Sequence, residues 1–383
     1  MRSKESMDRR TFLKYGSVGS ASAAASLLFR NDGWAQDTEA VPVSRTLGRT
    51  GLKVNVIGLG AMRTTEPSVM QAAFERGVNY VDTARGYLSG NNERIVGEAL
   101  KGRRDKVYVA TKFKIGSKQD MLAQFEQSLR SLDVDYVDVL QVHNLRSKEE
   151  AMNAEAKEVL AQLKQEGKVR FTGVTTHGNE VEVVDSVIDD PDKFFDIVLV
   201  KYNFLSSPEI KAVIARAAQA NIGVVAMKTQ AKTGYQGEDL GDLRPHPAAL
   251  KWVLQDTNVA LAVPGMLDLA EVMENTAVMR NLEMTAQDRR ALERYGAVAA
   301  ARYCRLCGEC GPTCPYGVDI YEVNRSLMYA KGYGDIELAR ETYREIPAQC
   351  SASACISCEK CAARCGMGFD VAARMREARE LFA

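Results

Sequence analysis

The first 303 residues contain no cysteine, although the chain has nine. A disulfide-stapled scaffold is thereby excluded for most of the chain, because such scaffolds are small and cysteine-dense throughout. Neither sign of charge is in excess: Lys and Arg number 50, and so do Asp and Glu. Net charge therefore gives no reason to expect nucleic acid or anionic lipid as a partner. The apolar stretch Tyr15 to Phe29 falls short of the roughly twenty residues a spanning helix needs, so no permanent membrane span is expected. What remains is an ordinary globular composition, 46% apolar and 26% charged. At 383 residues the chain exceeds one compact core, so a large domain with a smaller appendage is expected.

The N-terminus is laid out like a signal peptide. Arg9-Arg10-Thr11-Phe12-Leu13-Lys14 precedes the Ala, Gly and Ser-rich stretch, and Gly33 and Ala35 supply small residues for cleavage before Gln36. The paired arginines resemble the motif of the twin-arginine route, with Asp8 where that motif usually has Ser or Thr. The resemblance implies a partner in the twin-arginine export machinery, a periplasmic or otherwise exported protein, and a signal peptide over 1–35.

From residue 54, short β-branched runs alternate with amphipathic, alanine-rich stretches. The predicted strands are Val54–Gly60, Tyr80–Thr83, Val107–Lys112, Val137–His143, Val169–Thr175, Ile197–Tyr202, Gly223–Lys228 and Val259–Val263. Met121–Leu132, Ala151–Lys164 and Ile210–Ala220 carry apolar residues at helical spacing. Eight such units predict an α/β fold, a closed (β/α)8 barrel over 36–295. An open doubly wound sheet would want a phosphate loop after its first strand, but Gly58-Leu59-Gly60-Ala61-Met62-Arg63 lacks the third glycine.

In such a barrel, chemistry sits at the carboxyl ends of the strands. Asp82 ends the second strand, Tyr87 follows it, Lys112 ends the third and His143 ends the fourth. Asp82 and Lys112 alone could be an ordinary buried ion pair, and a lone histidine is more often structural than catalytic. All four together at strand ends are a stronger signal.

The segments Asp82-Thr83-Ala84-Arg85-Gly86-Tyr87, Ala110-Thr111-Lys112 and Tyr136 to His143 resemble those carrying the Asp, Tyr, Lys and His tetrad of the aldo-keto reductases. Further similarities are Gly167-Lys168-Val169, Tyr202-Asn203, Val263-Pro264-Gly265 and Glu274-Asn275. The resemblance covers about residues 44 to 295 and implies an oxidoreductase acting on a small carbonyl or alcohol compound with NAD(H) or NADP(H). It makes Tyr87 the proton donor, with Lys112 drawing the phenol pKa down, Asp82 holding Lys112, and His143 orienting the carbonyl. It also points to Thr175, Thr176, His177, Lys228, Pro264, Gly265, Glu274 and Asn275 as coenzyme contacts. Where the family has Gln at the sixth strand, this chain has Leu199; where an aromatic often stands at the seventh, it has Met227-Lys228. Gly265 to Glu271 contains no Lys or Arg, which favours NAD(H) over NADP(H).

The cysteines form two matching runs, Cys304-x-x-Cys307-x-x-Cys310-x-x-x-Cys314-Pro315 and Cys355-x-x-Cys358-x-x-Cys361-x-x-x-Cys365. Zinc pairs are not spaced this way, whereas bacterial two-cluster ferredoxins send the fourth cysteine of each run to the other cluster. Two [4Fe-4S] clusters are expected, one on Cys304, Cys307, Cys310 and Cys365, the other on Cys355, Cys358, Cys361 and Cys314. Cys350 stands outside both runs, a spare thiol or an alternative to Cys355. Tyr321–Lys331 and Asp335–Ile346 read as helices, so 296–383 resembles an α-helical ferredoxin-like domain, an appendage known from one aldo-keto reductase subfamily. Two functions compete. One is an enzyme whose clusters serve electron transfer with a redox partner protein; the other is an exported electron carrier whose barrel is only a docking scaffold.

Overall fold

The computed structural model describes residues 41–232, 243–302, 304–311, 313–356, 358 and 360–382. The expected signal peptide over 1–35 and its cleavage point before Gln36 lie outside the described residues.

Eight parallel strands follow one another around the sheet in chain order: β3 (Leu59–Gly60), β4 (Tyr80–Asp82), β5 (Tyr108–Phe113), β6 (Val137–Val142), β7 (Val169–Thr176), β8 (Ile197–Lys201), β9 (Gly223–Met227) and β10 (Leu261–Ala262). Parallel bridges from Ile57 to Ala262 and from Gly60 to Gly265 join the two edges, so the barrel is closed. The strands are runs of Val, Ile, Leu and Ala because both faces are covered, the outer one by helices. Those helices start where the sequence supplies caps. Ser117 Oγ accepts from Asp120 N at 3.2 Å before Lys118–Leu132, and Asn153 Oδ1 accepts from Ala156 N at 2.8 Å before Ala154–Gln165.

The predicted strand Val54–Gly60 is in fact two. Lys53–Asn55 (β2) turns back on Ser44–Thr46 (β1) as an antiparallel hairpin, and only Leu59–Gly60 enters the barrel. The hairpin brings Leu47 and Leu52 against Val54, Tyr80, Ala110 and Ile197, which closes the amino-terminal end with apolar side chains.

Helix Ala286–Arg302 packs against Pro245–Gln255 and runs without a break across the boundary expected at 295/296. Beyond it, the chain is helical: Ile320–Leu327 continues into a π-helical turn at Met328–Gly332, followed by Ile336–Arg344 and Val371–Phe382. Pro42–Ala383 is a single compact unit, with the cysteine-bearing segment seated on the carboxyl ends of the strands. Arg63 pairs with Asp335 at 3.0 Å, Arg146 with Asp319 at 2.8 Å and Lys114 with Glu345 at 2.6 Å. These partly exposed pairs set register more than they stabilise, at about 0–1 kcal/mol each. Burial of the apolar side chains Leu306, Tyr321, Tyr329 and Leu338 stabilises the seating more than the ion pairs do. A Cβ on Gly178 would lie 2.5 Å from the Tyr321 ring and 2.8 Å from Leu306 O, so only glycine permits this close approach. Among the described residues no helix is long and apolar enough to cross a membrane.

Candidate active site

Asp82, the last residue of β4, and Lys112, in β5, lie on neighbouring strands, and both are buried. Lys112 Nζ donates to Asp82 Oδ1 at 2.5 Å, to Thr83 O at 2.6 Å and, at 3.4 Å, to Tyr87 Oη. The second Asp82 oxygen accepts from Gln141 Nε2 at 3.0 Å. His143, directly after β6, meets the Tyr87 ring edge-on with centroids 5.7 Å apart. The four residues marked by their strand-end positions therefore do converge at the barrel mouth.

Tyr87 stands in a tight turn in which Leu88 and Ser89 have φ of 50° and 51°. The turn is held from behind. Arg85 donates to the fully buried Glu93 and to the carbonyl of Gly90, and Glu93 accepts from Thr111 Oγ1 at 2.6 Å. Gln141 was not foreseen, although strand alternation from His143 places it on the same face.

The electrostatics correct one expectation. Lys112 does not draw the Tyr87 phenol down; enclosure, together with the Asp82 carboxylate, pushes it well above its usual value. The reason is geometric, since the ammonium spends its short hydrogen bonds on Asp82 and Thr83 and reaches Tyr87 only at 3.4 Å. Burial depresses the Lys112 pKa, partly offset by Asp82. His143 and His177 are both pushed well below the usual imidazole value, by burial first and then by nearby cations. At neutral pH the site thus holds a protonated phenol and two neutral imidazoles.

Two cavities meet at Tyr87 and His177. The smaller, about 100 Å³, is bounded by Asp82, Lys228, Pro264 and Gly265 from the barrel and by Tyr329 and Tyr333 from the C-terminal segment. The larger, about 350 Å³, is bounded by His143, Asn144, Arg146, Arg325 and Tyr329. Of the residues expected to hold coenzyme, His177, Lys228, Pro264 and Gly265 line the smaller cavity. Thr175, Thr176, Glu274 and Asn275 are not on its wall. Thr175 Oγ1 accepts from Asn144 N at 2.7 Å, Thr176 donates to Gly178 O, and Asn275 accepts from Gln230 Nε2 at 2.9 Å. Lys228, with φ of 53°, sits 4.8 Å from the Tyr329 ring and donates to Tyr329 Oη at 3.3 Å; burial lowers its pKa to about 8.

A third cavity is lined by Cys304, Cys307, Cys310 and Cys365, three thiols from the first run and the last from the second. Leu306 and Gly308, at φ of 53° and 82°, turn the backbone around it. Cys314, Cys355 and Cys361 pack with Cys350 against Val318, Ile320 and Val323. None of the nine cysteines is paired in a disulfide. Among the described residues no three His, Cys, Asp or Glu side chains close on a point as a single ion requires.

The sequence model of the Aldo/keto reductase family matches residues 57–248. L-galactose dehydrogenase of Arabidopsis thaliana is 27% identical over 301 residues, which span 66% of this chain and 93% of that protein. Aldo-keto reductase YhdN of Bacillus subtilis is 32% identical over 161 residues, 35% of this chain and 47% of that one. Among solved structures, aldo-keto reductase AKR11C1 from Bacillus halodurans in its holo form has a TM-score of 0.57 at 25% identity, covering 66% of this chain and 96% of its own. An aldo/keto reductase from Klebsiella pneumoniae in complex with NADP and acetate has the same fold, with a TM-score of 0.55 at 24% identity, covering 67% and 95%. By sequence, by barrel and by the oxidoreductase class of its relatives, this chain belongs to the aldo/keto reductase family.

Proposed function

We propose that the protein interconverts a small carbonyl compound and its alcohol at Tyr87, using a nicotinamide coenzyme, and that it is exported with two [4Fe-4S] clusters in its C-terminal segment. The observation that carries the chemistry is the chain of contacts from Asp82 through Lys112 Nζ to Tyr87 Oη, with His143 beside the ring. A bound nicotinamide would supply or accept the hydride. Tyr87, protonated at neutral pH, gives its proton to the carbonyl oxygen as charge develops there. Neutral His143 donates a hydrogen bond to the same oxygen and fixes the substrate. Asp82, Gln141 and Thr83 O hold the ammonium in place.

The coenzyme is NADP(H), which the Klebsiella pneumoniae protein binds, or NAD(H). The stretch 265–271 has no basic residue of its own, but Lys232 Nζ reaches Glu271 at 2.8 Å and brings an ammonium to it. The electron-carrier reading is favoured by one feature, the roofing of the smaller cavity by Tyr329 and Tyr333. Clustered protein prepared without oxygen and supplied with NADPH or NADH should consume coenzyme only when a carbonyl compound is added. Failure of both coenzymes to bind at millimolar concentration would leave the carrier reading in its place.

The cluster reading rests on the two cysteine runs and on the cavity shared by Cys304, Cys307, Cys310 and Cys365. Export rests on Arg9 and Arg10 ahead of an uncharged stretch. Replacing both arginines by Lys should strand a full-length precursor in the cytoplasm. Unchanged recovery of processed protein outside the cytoplasm would refute that route.

A further inference from the structure

Of the basic side chains around the smaller cavity, one has no acid partner. Arg63 pairs with Asp335 and Lys232 with Glu271, while the carboxylate on the wall, Asp82, is committed to Lys112. Lys228 lines the same wall, and among the described residues no carboxylate pairs with it. Its Nζ lies instead 4.8 Å and 5.6 Å from the ring centroids of Tyr329 and Tyr333, and 3.3 Å from Tyr329 Oη. Burial raises both of those phenols, as it does Tyr87, so none of the three carries charge at neutral pH. His177 on this wall is neutral too, and the further side chains whose charge reaches Lys228, Arg325 and Lys201, are both cations. Burial first, and then these cations, bring the amine to a pKa of about 8, whereas an exposed lysine titrates at about 10.4.

The backbone points the same way. Lys228 directly follows β9 at the carboxyl end of the barrel, and its φ of 53° lies in the left-handed region, which residues bearing a Cβ rarely adopt. Two hydrogen bonds to its carbonyl oxygen hold it there, from Asn203 Nδ2 at 3.0 Å and from Ala231 N at 3.2 Å. Strain kept in place by its surroundings at a strand end marks a side chain positioned for chemistry. A desolvated lysine without a counter-ion is a nucleophile, because a substantial share of it is free amine near neutral pH. The cavity it lines also contains Tyr87 and, at about 100 Å³, has room for a small molecule.

We propose that Lys228 captures small aldehydes and ketones in this cavity as an imine. The amine lone pair attacks the carbonyl carbon, the C–N bond forms and the oxygen takes up a proton; that oxygen then leaves as water while C=N forms. One amine and one carbonyl compound become one imine and one water, with nothing oxidised or reduced. Tyr329 Oη, beside the nitrogen, is placed to accept a proton from it and to return one to the departing oxygen. The capture needs neither coenzyme nor cluster, so it stands apart from hydride transfer at Tyr87. It also gives the C-terminal segment a part in the cavity's chemistry, because Tyr329 and Tyr333 keep water from the amine and so keep it reactive.

The test exposes the cluster-loaded full chain, without added coenzyme, to propanal and cyanoborohydride, which reduces an imine to a stable N-propyl amine. Peptide mass spectrometry then locates the propyl groups. At pH 7, Lys228 should label roughly 10- to 100-fold faster than exposed lysines such as Lys53 and Lys211, because more of it is free amine. Its rate should rise with pH through a midpoint of about 8, and theirs through one of about 10.4. In protein unfolded in urea the excess should vanish, since it arises from the folded cavity. Lys228 labelling no faster than the exposed lysines, a midpoint in their range, or an excess that persists in urea would each overturn the proposal. None of these readings depends on coenzyme turnover, so the capture and hydride transfer stand or fall separately.

Discussion

Tyr87→Phe should lower carbonyl reduction by roughly 10²- to 10⁴-fold, the usual contribution of a positioned proton donor. The ring that packs edge-on against His143 is kept, so the melting temperature and iron content should stay at wild-type values. Lys112→Met is a less clean test. It would strip the buried Asp82 of its ion pair, and breaking such a pair costs about 3–5 kcal/mol of stability. The pH dependence gives a second reading of Tyr87. A donor must be protonated to act, and the raised phenol pKa keeps it so, while the depressed His143 value keeps that ring neutral. Reduction should therefore run level from pH 7 through the ordinary phenol value near ten and decline only above it. Oxidation of the alcohol, which needs the phenolate as base, should rise with pH over the same range. Turnover unchanged in Tyr87→Phe, or a reduction rate falling already between pH 7 and 9, would remove Tyr87 from the proton-donor role.

The part of this site that could be read in the sequence is the part written on strands. Asp82, Lys112 and His143 end or follow β-branched runs, and barrel geometry turns that local fact into a shared location. The first barrel strand was less legible because Val54 and Val56–Ile57 are buried alike. Periodicity reports burial, not which neighbour takes the backbone hydrogen bonds, and here β2 pairs with β1 while β3 pairs with β4. Thr175 and Thr176 have the right chemistry for coenzyme contacts, yet their hydroxyls are used within the fold. Arg325 and Tyr329 left no signal, because one helical turn of spacing far from the barrel reads as ordinary packing. Only the seating of the C-terminal helix over the mouth gives them a role at the site.

The cysteines carry the last expected result, and it separates two ways of dividing eight ligands. Under the two-cluster proposal, Cys365→Ser should take a ligand from the cluster of Cys304, Cys307 and Cys310, although Cys365 belongs to the second run. The variant should lose about four of roughly eight irons per chain, together with their sulfide, when prepared without oxygen. Adding Cys304→Ser to Cys365→Ser should then cost little more iron, because both changes strike one cluster. Adding Cys355→Ser to Cys365→Ser should empty both. If each run instead held its own cluster, the two double variants would exchange outcomes, and the crossed assignment would fall. The consequence for stability follows from where the thiols sit. Cys310, Cys314, Cys355, Cys361 and Cys365 all pack against the core of Val318, Ile320, Val323 and Leu327, so lost clusters leave that core without its inner wall. The double variant that empties both should therefore melt well below either single one. Since Tyr329 and Arg325, which line the cavities at Tyr87, ride on the same helical segment, carbonyl turnover should fall with it. Stoichiometric zinc without sulfide in the wild type would end the cluster reading altogether.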